Sequence, residues 1–263
     1  MMTHRYFIYM TFDGTRYHGW QVQPNGISVQ EVLEKALSTL LRKKTEVVGA
    51  GRTDAGVHAM MMVAHFDEER ELDCSQLHYK LNRLLPRDVA VNDVREVSPQ
   101  LHARFSAVRR TYHYYIHCRK LPFCQGQSAE LHYPLDFGKM NEAAKVLLAT
   151  SDFASFCKSN HDAKTTLCDV VEAHWDCVGD SRWCFTISAN RFLRNMVRAV
   201  VGTLLDVGRG KCSLEEFRQI VASGKRTEAG ESVPACGLYL WDVQYPRDAD
   251  STPGTDSDEE TND

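Results

Sequence analysis

The sequence has no apolar stretch long enough to cross a membrane, which needs roughly 20 residues, and none at its start that fits a signal peptide. Its nine cysteines are odd in number, no two are spaced C-x-x-C, and no histidine cluster completes a zinc pattern. Most of them lie inside apolar runs, where a free cysteine behaves as a small hydrophobic residue. We therefore expect a reduced, cytoplasmic protein with no membrane segment and no structural metal.

The sequence also has little net charge, −4 over 263 residues, with 43% hydrophobic and 25% charged residues, which is typical of one large or two ordinary globular domains. The charge is unevenly distributed. After Pro246, seven acids oppose one arginine, so this tail carries −6 and residues 1–245 carry +2. The tail is predicted to be disordered, because its only hydrophobic residue is Ala249. Since the body is only mildly basic, any affinity for nucleic acid must come from a local basic patch.

Residues 49–59 form a polar segment with three glycines in eight residues, which indicates backbone that turns sharply or lies against another segment. No Lys-Ser/Thr follows the last glycine, as a P-loop requires, and Asp54 stands where a dinucleotide fingerprint needs glycine. The segment therefore offers one carboxylate, Asp54, two residues after Arg52. Two explanations of this segment remain open. The commoner one is a hairpin loop whose charges are solvated, and the second is a loop that presents a reactive carboxylate.

The first hundred residues or so alternate strand and helix patterns in the order β-α-β-β-α-β. Ser28 and Glu31 have the spacing of a capping box that starts a helix, and Pro86 ends a second helix. Strands are predicted at 5–12, 45–48, 60–66 and 89–97. This order predicts a ferredoxin-like unit, with helices on one face of an antiparallel sheet. The loop at 13–26, which follows the first predicted strand, contains Trp20. The pattern supports equally a Trp20 ring that stacks on an RNA base and one that packs in the core.

The second half opens at 104–116 with three arginines and three tyrosines on a predicted strand. Basic and aromatic residues interleaved in this way suit single-stranded RNA, although a strand with an aromatic inner face is the commoner explanation. Strands are also predicted at 167–175 and 182–189, helices at 137–148 and 192–207, and a capping box at Ser213 and Glu216. On the 192–207 helix, a spacing of i, i+3, i+4 and i+7 would place four polar residues on one face: Arg191, Arg194, Asn195 and Arg198.

Residues 49–59, Gly-Ala-Gly-Arg-Thr-Asp-Ala-Gly-Val-His-Ala, closely resemble the signature of the TruA family of tRNA pseudouridine synthases. Three more segments resemble that family in the right order: the Arg-x-Tyr run ending at Tyr112, the Phe-x-x-x-Met-Val-Arg run ending at Arg198, and the Gly-Leu-Tyr-Leu run that contains Leu238. The resemblance implies an α+β pseudouridine synthase fold: two ferredoxin-like halves with antiparallel sheets flanked by helices, and an active-site cleft between them. We expect the N-terminal half at 1–103, the C-terminal half at 104–245, and the acidic tail at 246–263.

The resemblance further implies isomerisation of uridine to pseudouridine at positions 38–40 of the tRNA anticodon stem-loop, with no cofactor and no metal. Asp54 matches the family's essential aspartate, and Arg198 matches the arginine that pairs with it. Tyr112 matches the tyrosine that stacks on the uracil, and Leu238 matches a leucine that packs against the reacting base. We expect Arg52 to enter the RNA stack in place of the extruded base. Whether Asp54 attacks as a nucleophile or removes a sugar proton stays open.

Family members are homodimers that grip tRNA across both subunits, and a body charge of +2 is small for so large a substrate. We therefore expect a homodimer, with five arginines among its RNA contacts: Arg16, Arg109, Arg110, Arg191 and Arg194. From the residues alone two other functions remain open. A non-catalytic tRNA-binding or RNA-chaperone module would use the same basic and aromatic strands. A carboxylate-dependent nucleoside hydrolase would need a second acid near Asp54, and the loop contains none.

Overall fold

The computed structural model describes residues 3–158, 164–179 and 181–246. The expectation of a disordered acidic tail therefore falls almost wholly outside the described residues. None of the nine cysteines forms a disulfide. Within the described ranges no helix is both long enough and apolar enough to span a membrane.

The first half contains four strands and two helices in the predicted order. They are β1 (His4–Phe12), α1 (Val29–Leu41), β2 (Val48–Gly49), β3 (His58–Glu68), α2 (Cys74–Leu84) and β4 (Val89–Val97). The hydroxyl of Ser28 caps α1 by accepting a 3.2 Å hydrogen bond from the Glu31 backbone N–H, as the capping pattern predicts. The predicted strand at 45–48 is wrong in its bounds, because only two residues of β2 pair with β3.

The second half repeats this order with additional elements. They are β5 (Arg109–His117), β6 (Ala129–Glu130), α3 (Phe137–Leu148), β7 (Val170–Gly179), β8 (Arg182–Ala189), α4 (Met196–Gly208), α5 (Leu214–Ser223) and β9 (Leu238–Gln244). Ser213 and Glu216 form both hydrogen bonds of the capping box at the start of α5. The α+β fold class is confirmed.

The prediction that a helix spans 192–207 is wrong at its start. Asn195 has φ 65°, in the left-handed region, and α4 begins only at Met196. Residues 191–195 are therefore not helical, and the predicted polar face that would align Arg191, Arg194 and Asn195 with Arg198 does not exist. Of those four residues, only Arg198 lies on the helix.

The strands form one sheet in the order β4-β1-β3-β9-β5-β8-β7, with β2 beside β3 and β6 beside β5. Each half has the ferredoxin-like order 4-1-3-2, and its main strands pair antiparallel. The halves join where β3 and β9 run parallel, with His58 opposite Tyr239 and Ala59 opposite Leu240. The two predicted sheets are therefore continuous.

Two hydrophobic cores lie beneath this sheet, one in each half. The first packs α1 and α2 on β1, β3 and β4, and the second packs α3, α4 and α5 on β5, β7 and β8. Tyr112 contacts both cores. The junction of the halves therefore places Tyr112 between the two sets of helices.

Candidate active site

Asp54 lies on the loop Ala50–Val57, which connects β2 to β3. Three backbone hydrogen bonds define the loop: Ala50 N–H to the Val63 carbonyl at 2.7 Å, Val57 N–H to the Asp54 carbonyl at 3.2 Å, and Gly56 N–H to the Tyr17 carbonyl at 3.2 Å. Gly56 has φ 78°, a conformation that a residue with a side chain rarely adopts. The backbone on both sides of Asp54 is therefore anchored, and its carboxylate is held in a defined place.

The segment 13–20 packs directly against this loop, and two of its glycines permit the contact. A Cβ atom on Gly19, which has φ 83°, would lie 2.2 Å from the Thr53 carbonyl oxygen, and one on Gly14 would lie 2.0 Å from the Val57 carbonyl oxygen. Trp20 is only 3% exposed, and its ring lies against Gly49. The core-packing explanation of Trp20 is therefore the correct one.

Arg198 on α4 pairs with Asp54 across the junction of the two halves. Its Nη1 lies 3.2 Å from Oδ2 of Asp54, and the two side chains are 21% and 33% exposed. Its Nε donates to the Val233 carbonyl at 2.7 Å, so the guanidinium is fixed from two sides. An arginine held in this way places a positive charge at a fixed position beside the carboxylate and orients it.

The segment 229–233 supports Arg198 and was missed by sequence reasoning. Val233 also donates its N–H to the Arg198 carbonyl at 3.2 Å. The segment approaches α4 so closely that a Cβ atom on Gly202 would lie 1.8 Å from the Glu231 carbonyl oxygen. The sequence contained one signal for this contact, Gly202 in an otherwise apolar helix, because such a glycine often marks a place where another backbone segment approaches closely.

Tyr112 lies on β5, and its ring meets Phe192 edge-on at 4.9 Å between centroids. Burial, with a smaller contribution from the nearby Asp54 charge, raises the pKa of the phenol to about 12. Within the described ranges its hydroxyl makes no hydrogen bond. The residue therefore offers a neutral aromatic ring beside the carboxylate.

Leu238, the fourth residue matched to the family, begins β9 and is 6% exposed. It pairs with Tyr114 and belongs to the second core, together with Val57 from the end of the Asp54 loop. The structure thus brings Asp54, Arg198 and Tyr112 together, with Leu238 in the adjoining apolar core.

Arg110 differs from the other predicted RNA contacts because its guanidinium is committed to four backbone carbonyls. Nη1 donates to Ala107 at 2.9 Å and to Asn190 at 3.0 Å, while Nη2 donates to Ala50 at 3.1 Å and to Arg104 at 2.5 Å. Burial lowers its pKa, and the neighbouring charges of Arg104 and Arg191 lower it further. These bonds tie the Asp54 loop to the segments before β5 and after β8, and the RNA contact of Arg110 stays a prediction.

The remaining predicted RNA contacts lie nearer the surface. Arg16 is 71% exposed in its side chain and pairs with Asp88, while the Tyr17 carbonyl next to it holds Gly56 of the Asp54 loop. Arg52, Arg109 and Arg194 are exposed, and Arg191 is half-buried. Because the 191–195 segment is not helical, Arg191 and Arg194 do not form a helical stripe with Arg198. Among the described residues no group of three histidine, cysteine or acidic side chains could hold a metal ion.

The comparisons with known proteins agree on one family. A family model described as tRNA pseudouridine synthase matches residues 8–106 and 143–246. A Bacteroides fragilis protein named tRNA pseudouridine synthase A is 57% identical over 249 residues, which cover 94% of this chain and 99% of that protein. Proteins of the same name from Bacteroides thetaiotaomicron and Bacillus licheniformis are 55% and 41% identical, over 93% and 90% of this chain and 91% and 97% of theirs.

Proposed function

The chain belongs to the tRNA pseudouridine synthase family and is an isomerase; from that premise we propose that it uses Asp54 as its essential carboxylate and acts at positions 38–40 of the tRNA anticodon stem-loop. The observation that carries the proposal is the 3.2 Å pair between Asp54 and Arg198, one from each half of the fold. The target positions rest on the resemblance of residues 49–59, Tyr112, Arg198 and Leu238 to the TruA family.

The reaction rearranges bonds within one nucleotide. The N1–C1′ bond of uridine breaks, the uracil turns, and a C5–C1′ bond forms; C5 loses a proton and N1 gains one, so no external reactant is consumed. The leaving uracil spreads its charge over its own carbonyl groups. A second carboxylic acid of the kind that glycosidases use to activate water is therefore not required.

Asp54 acts at the sugar, and Arg198 orients its carboxylate through the 3.2 Å ion pair. Two routes fit this placement. In one, the carboxylate attacks C1′ and forms a covalent intermediate. In the other, it removes the proton from C2′, so that a glycal forms and the uracil adds back through C5. Both routes need the anion, and both need water to be kept away from C1′.

Tyr112 and Leu238 retain the uracil while it turns. The ring of Tyr112 stacks on the base as a neutral phenol, since its ordinary pKa of about 10 already lies well above physiological pH and burial raises it to about 12. Leu238 closes the apolar side of the pocket. Arg52, which is exposed on the Asp54 loop, enters the RNA stack and offsets part of the cost of extruding the base, a few kcal/mol.

Phosphate contacts surround this pocket. We assign them to Arg16, Arg109, Arg191 and Arg194, while Arg110 acts through the four carbonyls that it holds. Residues 1–103 and 104–245 are the two functional halves, followed by the tail at 246–263. A second copy would double the basic surface of a body that carries only +2, so the working form is a homodimer. Light scattering of the active protein tests this, and a fully active monomer would contradict it.

The test of the proposed function is tritium release from tRNA whose uracil is labelled at C5, with tRNA binding measured in parallel. Wild-type protein should release tritium, and Asp54→Ala should release it roughly 10³-fold more slowly while still binding tRNA. Binding without release by the wild type would favour a non-catalytic RNA-binding module. Free uracil and an abasic site in place of pseudouridine would favour a nucleoside hydrolase.

A further inference from the structure

Phe105 is an exposed aromatic residue close to the candidate active site. It is 76% exposed, on the turn between β4 and β5. Burial of a phenylalanine ring stabilises a fold, and at this position most of that burial is absent. Single exposed apolar residues are common on protein surfaces, so exposure alone assigns no role to Phe105.

The turn that carries Phe105 is firmly held, which sets it apart from a mobile surface loop. Three long-range hydrogen bonds fix it: Arg5 Nη1 to the Leu101 carbonyl at 2.7 Å, Ala103 N–H to His65 Nδ1 at 3.2 Å, and Tyr245 hydroxyl to the Ala103 carbonyl at 2.6 Å. The backbone N–H of Phe105 donates to Nδ1 of His102 at 3.2 Å. The backbone that carries the ring is therefore held in a defined place by contacts within the protein.

Aromatic and cationic neighbours surround the ring. The His102 ring lies 4.4 Å away at 33°, and the Arg104 guanidinium carbon lies 5.6 Å from the ring centroid. In the described part of the chain, no carboxylate lies within ion-pair distance of Arg104. An aromatic surface beside an unneutralised arginine provides what an unpaired nucleotide needs, a stacking partner for its base and a cation for its phosphate.

A direct connection ties this turn to the catalytic loop. Arg110 Nη2 donates both to the Arg104 carbonyl and to the carbonyl of Ala50, which begins the loop that carries Asp54. Arg191 lies near enough for its charge to act on Arg110. The turn that carries Phe105 therefore shares the Arg110 guanidinium with the Asp54 loop, and Arg191 adds a second positive charge nearby.

We propose that Phe105 and Arg104 form a stacking platform for an unpaired tRNA base near the target uridine, outside the uracil pocket. The platform rests on the proposed function, since it needs RNA in the site. It contributes to binding and takes no part in bond making or breaking. Its ligand class is a single-stranded nucleotide, recognised by its π face and its phosphate and therefore with little base preference.

The decisive variant is Phe105→Ala, with Phe123→Ala as a matched control. Phe123 is 98% exposed and shares a surface cavity with Arg182, which pairs with His117 at the end of β5 opposite to Arg110. Nine residues of strand separate the two places by roughly 25 Å. Both variants remove an exposed ring, so the fold should tolerate them equally.

In the tritium-release assay, Phe105→Ala should raise KM for tRNA roughly five- to fifty-fold, with kcat within about two-fold of the wild type. Phe105→Trp should restore KM, and its indole fluorescence should be quenched when tRNA binds. Phe123→Ala should behave as the wild type. An unchanged KM in Phe105→Ala, or an equal rise in Phe123→Ala, would overturn the platform while the wild-type activity upholds the proposed function.

Two other outcomes separate the platform from its rivals. Absence of tritium release from the wild type would refute the proposed function itself, and tRNA binding by the variants would then be measured directly. If Phe105→Ala instead lowers the molar mass in light scattering, the ring is a contact between copies of this chain, and the platform is overturned. A mass equal to that of the wild type supports it.

Discussion

Strands β2 and β7 occupy the same place in the two β-α-β-β-α-β halves, yet β2 has two residues and β7 has ten. β7 pairs with β8 along almost its full length, and only residues 180–181 separate the two strands. β2 pairs with β3 only at Val48 and Gly49 and leaves the first residues of β3 without that neighbour.

The short strand has two consequences for function. The vacated end of β3 pairs with β9 of the other half, which joins the two sheets. The residues that would have extended β2 instead form the loop 50–57 that carries Asp54. The two halves therefore contribute differently to the site. The second half, which has the long β7 and is called the complete half below, supports Arg198 and Tyr112. The first half, which has the short β2 and is called the shortened half below, provides the loop that carries the Asp54 carboxylate.

The largest expected effect concerns the arginine that the complete half contributes. Arg198→Gln should lower turnover by about 10²-fold or more, because the Asp54 carboxylate loses its charged partner. It should also lower the free energy of unfolding by about 1–3 kcal/mol, because the Val233 carbonyl loses its donor. Turnover is measured by tritium release and stability by urea denaturation.

Arg209→Gln is the control for Arg198→Gln. Arg209 follows the same helix but lies over the Tyr133 ring, 4.2 Å from its centroid. The turnover of the Arg209→Gln protein should match that of the wild type. An Arg198→Gln protein with wild-type turnover would remove Arg198 from the site.

A smaller effect on stability and turnover is expected from the packing of Gly19 against the Asp54 loop in the shortened half. Gly19→Ala forces a Cβ atom to within 2.2 Å of the Thr53 carbonyl oxygen at a backbone φ of 83°, so the Asp54 loop must shift. We expect about 1–3 kcal/mol of lost stability and a lower kcat. Gly51→Ala in the same motif meets nothing within 4 Å and should leave the melting temperature unchanged. Equal melting temperatures for the two variants would contradict the close packing of the loop.

The smallest effect compares one histidine from each half, the buried His65 and the half-buried His113. Burial lowers the pKa of His65 in the first half and of His113 in the second to about 4, against an ordinary value of 6.5. Between these values the unfolded chain binds more protons than the folded one, so stability should fall as the pH decreases from about 6.5 to about 4. His113→Phe keeps an aromatic ring against Trp241 and should flatten this fall in the melting temperature. An unchanged slope would show that His113 does not contribute to it.

The sequence predicted those features that local pattern determines. Strands β1 and β4 and helices α1 and α2 follow from hydrophobic periodicity and from caps such as Ser28. The start of α4 could not be predicted, because Asn195 adopts a left-handed conformation that periodicity does not reveal. The short β2 could not be predicted either, since the start of β3 pairs with β9, almost two hundred residues away, and not with β2.

The candidate site also combines residues that the sequence predicted with contacts that it did not. Asp54, Arg198, Tyr112 and Leu238 were found by their resemblance to a family, and no spacing in the sequence would have paired Asp54 with Arg198. The four backbone carbonyls that Arg110 holds were not predicted, because they come from segments that are distant in the sequence, while its RNA contact stays a prediction. Trp20 was ambiguous for a related reason, since burial is a property of the packed structure.

The central claim is that Asp54 from one half and Arg198 from the other act as one unit. A double-mutant cycle tests it, with single-turnover tritium release measured for Asp54→Asn, Arg198→Gln and the double variant. If the two side chains act together, the double variant should retain the same residual rate as Asp54→Asn alone. If the two losses multiply instead, the side chains act independently, and the account of a single site built across the two halves is contradicted.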